Sequence, residues 1–171
     1  MADAPVIELK NVGFGYPAGP GGRKVTALDG VSFTVGEREM VSVVGPNGGG
    51  KSTLLKLMLG LERPDTGAVR LFSEPPLRNS RRVGYLPQTA GFQEWRTVRH
   101  ALTTFGRLNG LAPGELQDAV EHVTGRLGLT EHLDRRIVHL SGGMQQRLRF
   151  AQAILHKPEI IILDEPLSGL D

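Results

Sequence analysis

The sequence predicts an α/β fold, with an antiparallel β section, a parallel-sheet core and an inserted helical section. Three observations predict it. Residues 6–10 and 31–35 alternate apolar and polar side chains, the mark of half-buried strands. From Met40 to Gly60 an apolar β-branched run, a glycine-rich loop and a helical run follow one another. Between Thr97 and about Leu140 the apolar spacing is helical, and a second apolar run, Ile160-Ile161-Ile162-Leu163, comes later.

In chain order, residues 11–17 read as a second short strand and 18–22 (AGPGG) as a turn. Gly36-Glu37 connects the strand 31–35 tightly to Met40-Val41-Ser42-Val43-Val44, which reads as a buried strand of a parallel sheet. The helix containing Leu54, Leu55, Leu57 and Met58 is expected to stop at Gly60. Arg63-Pro64-Asp65-Thr66-Gly67 is a turn signal leading to a strand at 68–72, and Pro75-Pro76 breaks the pattern. Residues 83–88 form a short strand, with Gln88 just past its end. Leu116, Ala119, Val120, Val123 and Leu127 share one helical face, with Gly128 placed as a C-terminal cap. After Leu140 to Arg147 a helical run continues to about His156, where Lys157-Pro158 ends it. The strand at 160–163 is closed by Asp164-Glu165-Pro166. One domain is expected, with residues 1–39 mostly antiparallel, 40–96 and 157–171 the core, and 97–156 the helical section.

A chain of 171 residues can bury a core, and its 39% hydrophobic and 22% charged residues are ordinary for a globular protein. The net charge of +2 and paired arginines such as Arg81-Arg82 and Arg135-Arg136 read as solvated faces, so no nucleic-acid partner is expected. With no cysteine, disulfides, thiolate metal sites and cysteine nucleophiles are excluded. The first ten residues show no secretory signal pattern, and no apolar run approaches the roughly 18 residues of a spanning helix. A membrane role is expected to run through a partner.

Gly45 to Ser52 match G-x-x-x-x-G-K-[ST], with Gly45, Gly50, Lys51 and Ser52 in the fixed places. Unpaired N–H groups and the dipole of a helix N-terminus attract anions, and glycines let backbone curl around a polyphosphate. The segment Gly45, Pro46, Asn47, Gly48, Gly49, Gly50, Lys51, Ser52 and Thr53 is therefore expected to bind a nucleoside triphosphate. Lys51 suits the β- and γ-phosphates, and the Ser52 hydroxyl suits Mg²⁺.

The stretch Leu140-Ser141-Gly142-Gly143-Met144-Gln145-Gln146-Arg147 resembles the signature motif of ATP-binding-cassette (ABC) ATPases. Tyr16, the phosphate loop, Gln88, Asp164-Glu165 and residues 168–171 (SGLD) stand in that family's order, so the resemblance covers nearly the whole chain. It implies a P-loop NTPase fold of the ABC ATPase type, with ATP and Mg²⁺ as ligands. Tyr16 looks like the residue that stacks on adenine, although a core tyrosine is the alternative. Gln88 and Asp164 resemble the metal-shell residues, and Glu165 the general base for the attacking water. By resemblance, Ser141, Gly142 and Gly143 contact ATP held by a second ABC ATPase subunit, expected to be an identical copy, and Asp171 faces that subunit.

Two departures stand out. Gly49 occupies a place where the family more often has a small residue with a Cβ. The family's switch histidine follows the Asp-Glu strand, whereas His100, His122, His132, His139 and His156 all precede it. The missing strand would lie between the phosphate-loop strand and the Asp-Glu strand, so the sequence reads as an incomplete copy, and the isolated chain is expected to fold poorly. The implied function is the ATPase subunit of a membrane transporter, on the cytoplasmic face with transmembrane permease subunits as partners. The Leu-Ser-Gly-Gly-Met form of the signature and Tyr85-Leu86-Pro87-Gln88 look like ABC-2-type exporter cassettes. The alternatives are a soluble ABC ATPase without transport, and a fragment that binds ATP without turnover.

Overall fold

The structure, a computed structural model, describes residues 4–19, 22–88 and 91–166. It divides into two compact units, Met1–Ser80 and Arg81–Asp171. The family-like stretch at 168–171, with Asp171, lies outside the described residues.

In the first unit, β1 (Ile7–Pro17), β2 (Lys24–Val35) and β3 (Thr66–Leu71) form an antiparallel sheet in the order β2-β1-β3. The alternation at 6–10 does what was expected of it: Ile7 and Leu9 are buried, facing Val35 and Phe33 on one side and Leu71 and Val69 on the other. Two corrections concern length. The predicted strands at 6–10 and 11–17 are one bulged strand, with Asn11 at a φ of 47° where the register shifts between Leu9 and Val12. The predicted strand 31–35 begins earlier, at Lys24, because β1 offers it a partner along its whole length. Gly67, at a φ of 75°, is required by close approach, since a Cβ there would lie 2.2 Å from the Lys10 carbonyl.

The largest correction is the run 40–44. It is not a strand but extended chain without a ladder, and Met40 and Val44 are 96% and 91% exposed. A strand exists only through bonds to a neighbour. Among the described residues none pairs with this run. β-Branched composition alone therefore leaves it unpaired. Beyond it, α1 (Lys51–Met58) starts where the glycine loop ends and buries Thr53, Leu54, Leu57 and Met58. Gly60, at a φ of 72°, follows its C-cap Leu59, as expected of a terminating glycine.

In the second unit, β4 (Val83–Leu86) and β5 (Ile160–Leu163) pair in parallel. Helices α2 (Val98–Leu108), α3 (Pro113–Arg126) and α4 (Gly142–Ile154) share a core that includes Val98, Leu102, Val120, Val123, Leu148 and Ala151. Local signals start and stop these helices. The Thr97 hydroxyl accepts from His100 N at 3.2 Å. Pro113 opens α3 while Glu115 accepts from Ala112 N at 3.0 Å. Gly128 follows the end of α3 at a φ of 63°. α4 packs so closely on β4 that a Cβ on Gly84 would sit 2.2 Å from the Ala153 carbonyl. The apolar run of β5 is buried on one face only: Ile160 and Ile162 are covered, whereas Ile161 and Leu163 are exposed.

Candidate functional site

In the first unit the residues expected to form the phosphate loop lead directly into α1. Gly48 and Gly50 have φ angles of 80° and 82°, which let the backbone turn into α1. Gly49 N donates to the Pro46 carbonyl at 3.1 Å, closing the turn. A Cβ at Gly49 would lie 3.0 Å from that same oxygen, so the glycine suits this tight loop where the family more often has a side chain. Gly50 caps α1 without any side-chain hydrogen bond, and no acidic residue lies in the first turn. The positive end of the helix is thereby left to an external anion. The Lys51 ammonium donates to the Gly45 and Pro46 carbonyls at 2.8 and 2.9 Å, which holds it over the loop. A phosphate is a stronger, charge-assisted partner than either neutral carbonyl.

Tyr16 belongs to the same unit. Its hydroxyl lies 3.3 Å from the Thr53 hydroxyl, its ring meets Phe14 edge-on at 5.0 Å, and the Lys56 ammonium lies 6.0 Å from the ring centre. Half-buried, Tyr16 is thus tied to the helix that the phosphate loop opens. A residue read from sequence only as part of a turn supports it. Asp65 accepts from Gly15 N at 2.9 Å and from the Lys24 ammonium. The Lys24 hydrogen bond first, then the Gly15 N–H, holds the Asp65 carboxyl below its ordinary pKa. Those partners lie 41 and 50 residues away in sequence, so no local signal reveals them.

In the second unit the register of the parallel pair places the candidate catalytic residues. Leu86 faces Leu163, and the ladder continues with Asp164 N donating to the Leu86 carbonyl at 2.9 Å. Two residues past each strand, Gln88 and Glu165 meet: Gln88 Nε2 donates to Glu165 Oε2 at 2.6 Å. Glu165 holds a φ of 47°, an uncommon conformation for a residue other than glycine and one that clusters at functional sites. Asp164 is half-buried, and its charge together with burial, the larger cause, raises the Tyr85 phenol above its ordinary pKa.

The signature residues start α4. Ser141 is its N-cap and accepts from Met144 N at 3.3 Å. Gly142 and Gly143 form the first turn, with open space for 4 Å around the point where a Cβ on either would lie. Sequence reasoning did not single out Gln146 as a site residue. It is 7% exposed, and its amide donates to the Pro166 carbonyl at 2.6 Å. A glutamine on the buried side of an otherwise amphipathic helix is the signal that could have found it.

Each unit by itself carries hard oxygen donors of the kind Mg²⁺ binds: the Ser52 hydroxyl in the first, the Asp164 carboxylate and the Gln88 amide oxygen in the second. Among the described residues no group of three His, Cys, Asp or Glu side chains gathers as a metal cage.

Residues 28–168 match the family described as ABC transporter. An ABC transporter ATP-binding protein of Bacillus subtilis (strain 168), YxlF, is 46% identical over 145 residues, covering 85% of this chain and 49% of that one. Nod factor export ATP-binding protein I of Sinorhizobium fredii (strain NBRC 101917 / NGR234) is 40% identical over 169 residues, covering 96% of this chain and 48% of the other. The chain thus spans about half the length of these curated relatives. Among solved structures, an ATP-binding subunit of an ABC transporter superposes with a TM-score of 0.83 at 30% identity, covering 96% of this chain and 68% of that one. A dimeric ATP-binding cassette in a post-hydrolysis state, bound to ADP and Pi, gives 0.84 at 26% identity, with 96% and 76% covered.

Proposed function

The chain belongs to the ABC transporter family, and from that premise we propose that it is the ATP-binding part of a transporter subunit that hydrolyses MgATP to drive transport. The observation that carries the reading is the loop 45–50, which opens onto an α1 N-terminus that no side chain caps. Lys51 and the loop backbone bind the phosphates, Ser52 and Asp164 supply oxygen ligands to Mg²⁺, and Tyr16 stacks on the base. Mg²⁺, when bound, neutralises phosphate charge. Glu165 orients the attacking water and takes its proton, as a carboxylate does in general-base catalysis.

Ser141, Gly142 and Gly143 at the start of α4 present a second helix N-terminus, which contacts ATP held by a second copy of the subunit. The dimeric form of one solved relative supports that pairing. Among the described residues no helix is long and apolar enough to cross a membrane. In this reading permease subunits supply the membrane path, with this chain on their cytoplasmic face. The relatives named for export favour an exporter.

The test is Glu165→Gln in the full-length protein, assayed for ATP binding and turnover. Binding is expected to stay within about threefold while kcat falls by about 10²- to 10⁴-fold. Lys51→Ala is expected to weaken ATP binding by about 10- to 100-fold, because the phosphates lose a charged partner. Normal hydrolysis by Glu165→Gln would show that another group is the base.

A further inference from the structure

We propose that Gln146, on α4, is a positioning residue for Glu165. The inference rests on the reading of Glu165 as the general base. Glu165 lies beyond the last ladder bond of β5, is exposed, and holds a backbone conformation, at a φ of 47°, that a non-glycine residue adopts at a cost. Such a conformation persists only where surrounding bonds impose it. Among the described residues, the side chains of Gln88 and Gln146 both grip this turn. The Gln88 amide holds the Glu165 carboxylate itself, and the Gln146 amide holds the carbonyl of the next residue, Pro166.

The two grips differ in strength. The Gln88 bond is exposed, where water competes for both partners. Gln146 is buried and its bond to the half-buried Pro166 is shielded more than the Gln88 bond, so it is electrostatically stronger and a missing partner costs more. Its amide has only one useful orientation. Pro166 offers a carbonyl, so the NH₂ group faces it, and the Gln146 oxygen accepts from Arg149 Nη1 at 3.3 Å. Pro166 passes the constraint on. Its ring locks its own φ, so holding its carbonyl holds the segment that carries Glu165. A proline also pushes the residue before it towards extended backbone with negative φ, so Glu165 at a φ of 47° depends on such contacts to stay where it is. The helix that begins with Ser141, Gly142 and Gly143 therefore also holds the base in place.

The experiment compares ATP hydrolysis by the full-length protein with and without Gln146→Leu, in the wild-type and Glu165→Gln backgrounds. Leucine keeps much of the volume and removes the donor. In the wild-type background kcat is expected to fall by about tenfold, with KM for ATP unchanged within about twofold. In the Glu165→Gln background the slow residual rate is expected to stay within about twofold, because there is no base left to misplace. Gln146→Glu, which keeps the shape and the Arg149 contact but cannot donate when ionised, repeats the comparison should Gln146→Leu not fold. An equal fall in both backgrounds, or no fall in the first, overturns the proposal. Full activity of Glu165→Gln alone overturns the base assignment instead, a different failure read from a different protein.

Discussion

Two short apolar runs in this chain look alike and end up differently. Residues 40–44 (MVSVV) and β5 (Ile160–Leu163, IIIL) are both β-branched, and each leads into a motif residue set. β5 lies in register beside β4 and buries Ile160 and Ile162. The run 40–44 has no strand beside it among the described residues, and its side chains are exposed. The difference teaches that apolar composition nominates a strand, while a hydrogen-bonding neighbour makes one.

Four measurements would break or sharpen that comparison. The largest effect is expected from Gly84→Val on β4. A Cβ there meets the Ala153 backbone at 2.2 Å, so the helix must move off the strand. Urea unfolding is expected to show a loss of about 3 kcal/mol or more. Ile162→Ala, at a site 4% exposed, is expected to cost about 2–4 kcal/mol in the same assay. Val43→Ala, in the unpaired run, is expected to change stability by less than about 0.5 kcal/mol. Equal costs for the two would mean that 40–44 is packed like β5. Hydrogen exchange offers an independent check, with the amides of 41–44 exchanging far faster than that of Asp164, which bonds the Leu86 carbonyl.

The smallest effect concerns pH. The ring of His156 lies 3.2 Å from the Val83 carbonyl at the start of β4, and its Nδ1 is buried with no partner among the described residues. Burial lowers its pKa, outweighing the raising effect of that hydrogen bond. As pH falls through the ordinary histidine value, about 6.5, the unfolded chain takes up a proton that the folded one resists. Stability should therefore decline from about pH 7 towards pH 5, and His156→Gln should flatten that decline in thermal melts.

Much of the site was legible because its signals are local. The glycine-rich loop ahead of α1 and the terminating glycines Gly60 and Gly128 need only their own neighbours in sequence, and the two glycines sit where the spacing put them; the N-caps Thr97 and Ser141 are equally local but were not read from it. Gln88 and Glu165 are both legible from their motifs, yet their meeting is not. It depends on the register of β4 against β5, which pairs residues 77 apart. Asp65 and Gln146 are illegible for a related cause. Their partners lie 41, 50 and 20 residues away, and a turn aspartate or a helical glutamine is common without them.

By itself the sequence determined the glycine-rich loop followed by a helix and the glycines that end two of the helices, because short-range geometry suffices for those, while the candidate base came from the likeness of its motif to a family's. Only the tertiary structure decided which apolar run became a strand, which carboxylate met which amide, and which buried glutamine holds the Asp-Glu turn. Those outcomes depend on hydrogen-bond partners brought from distant parts of the chain, and spacing along the sequence does not encode them.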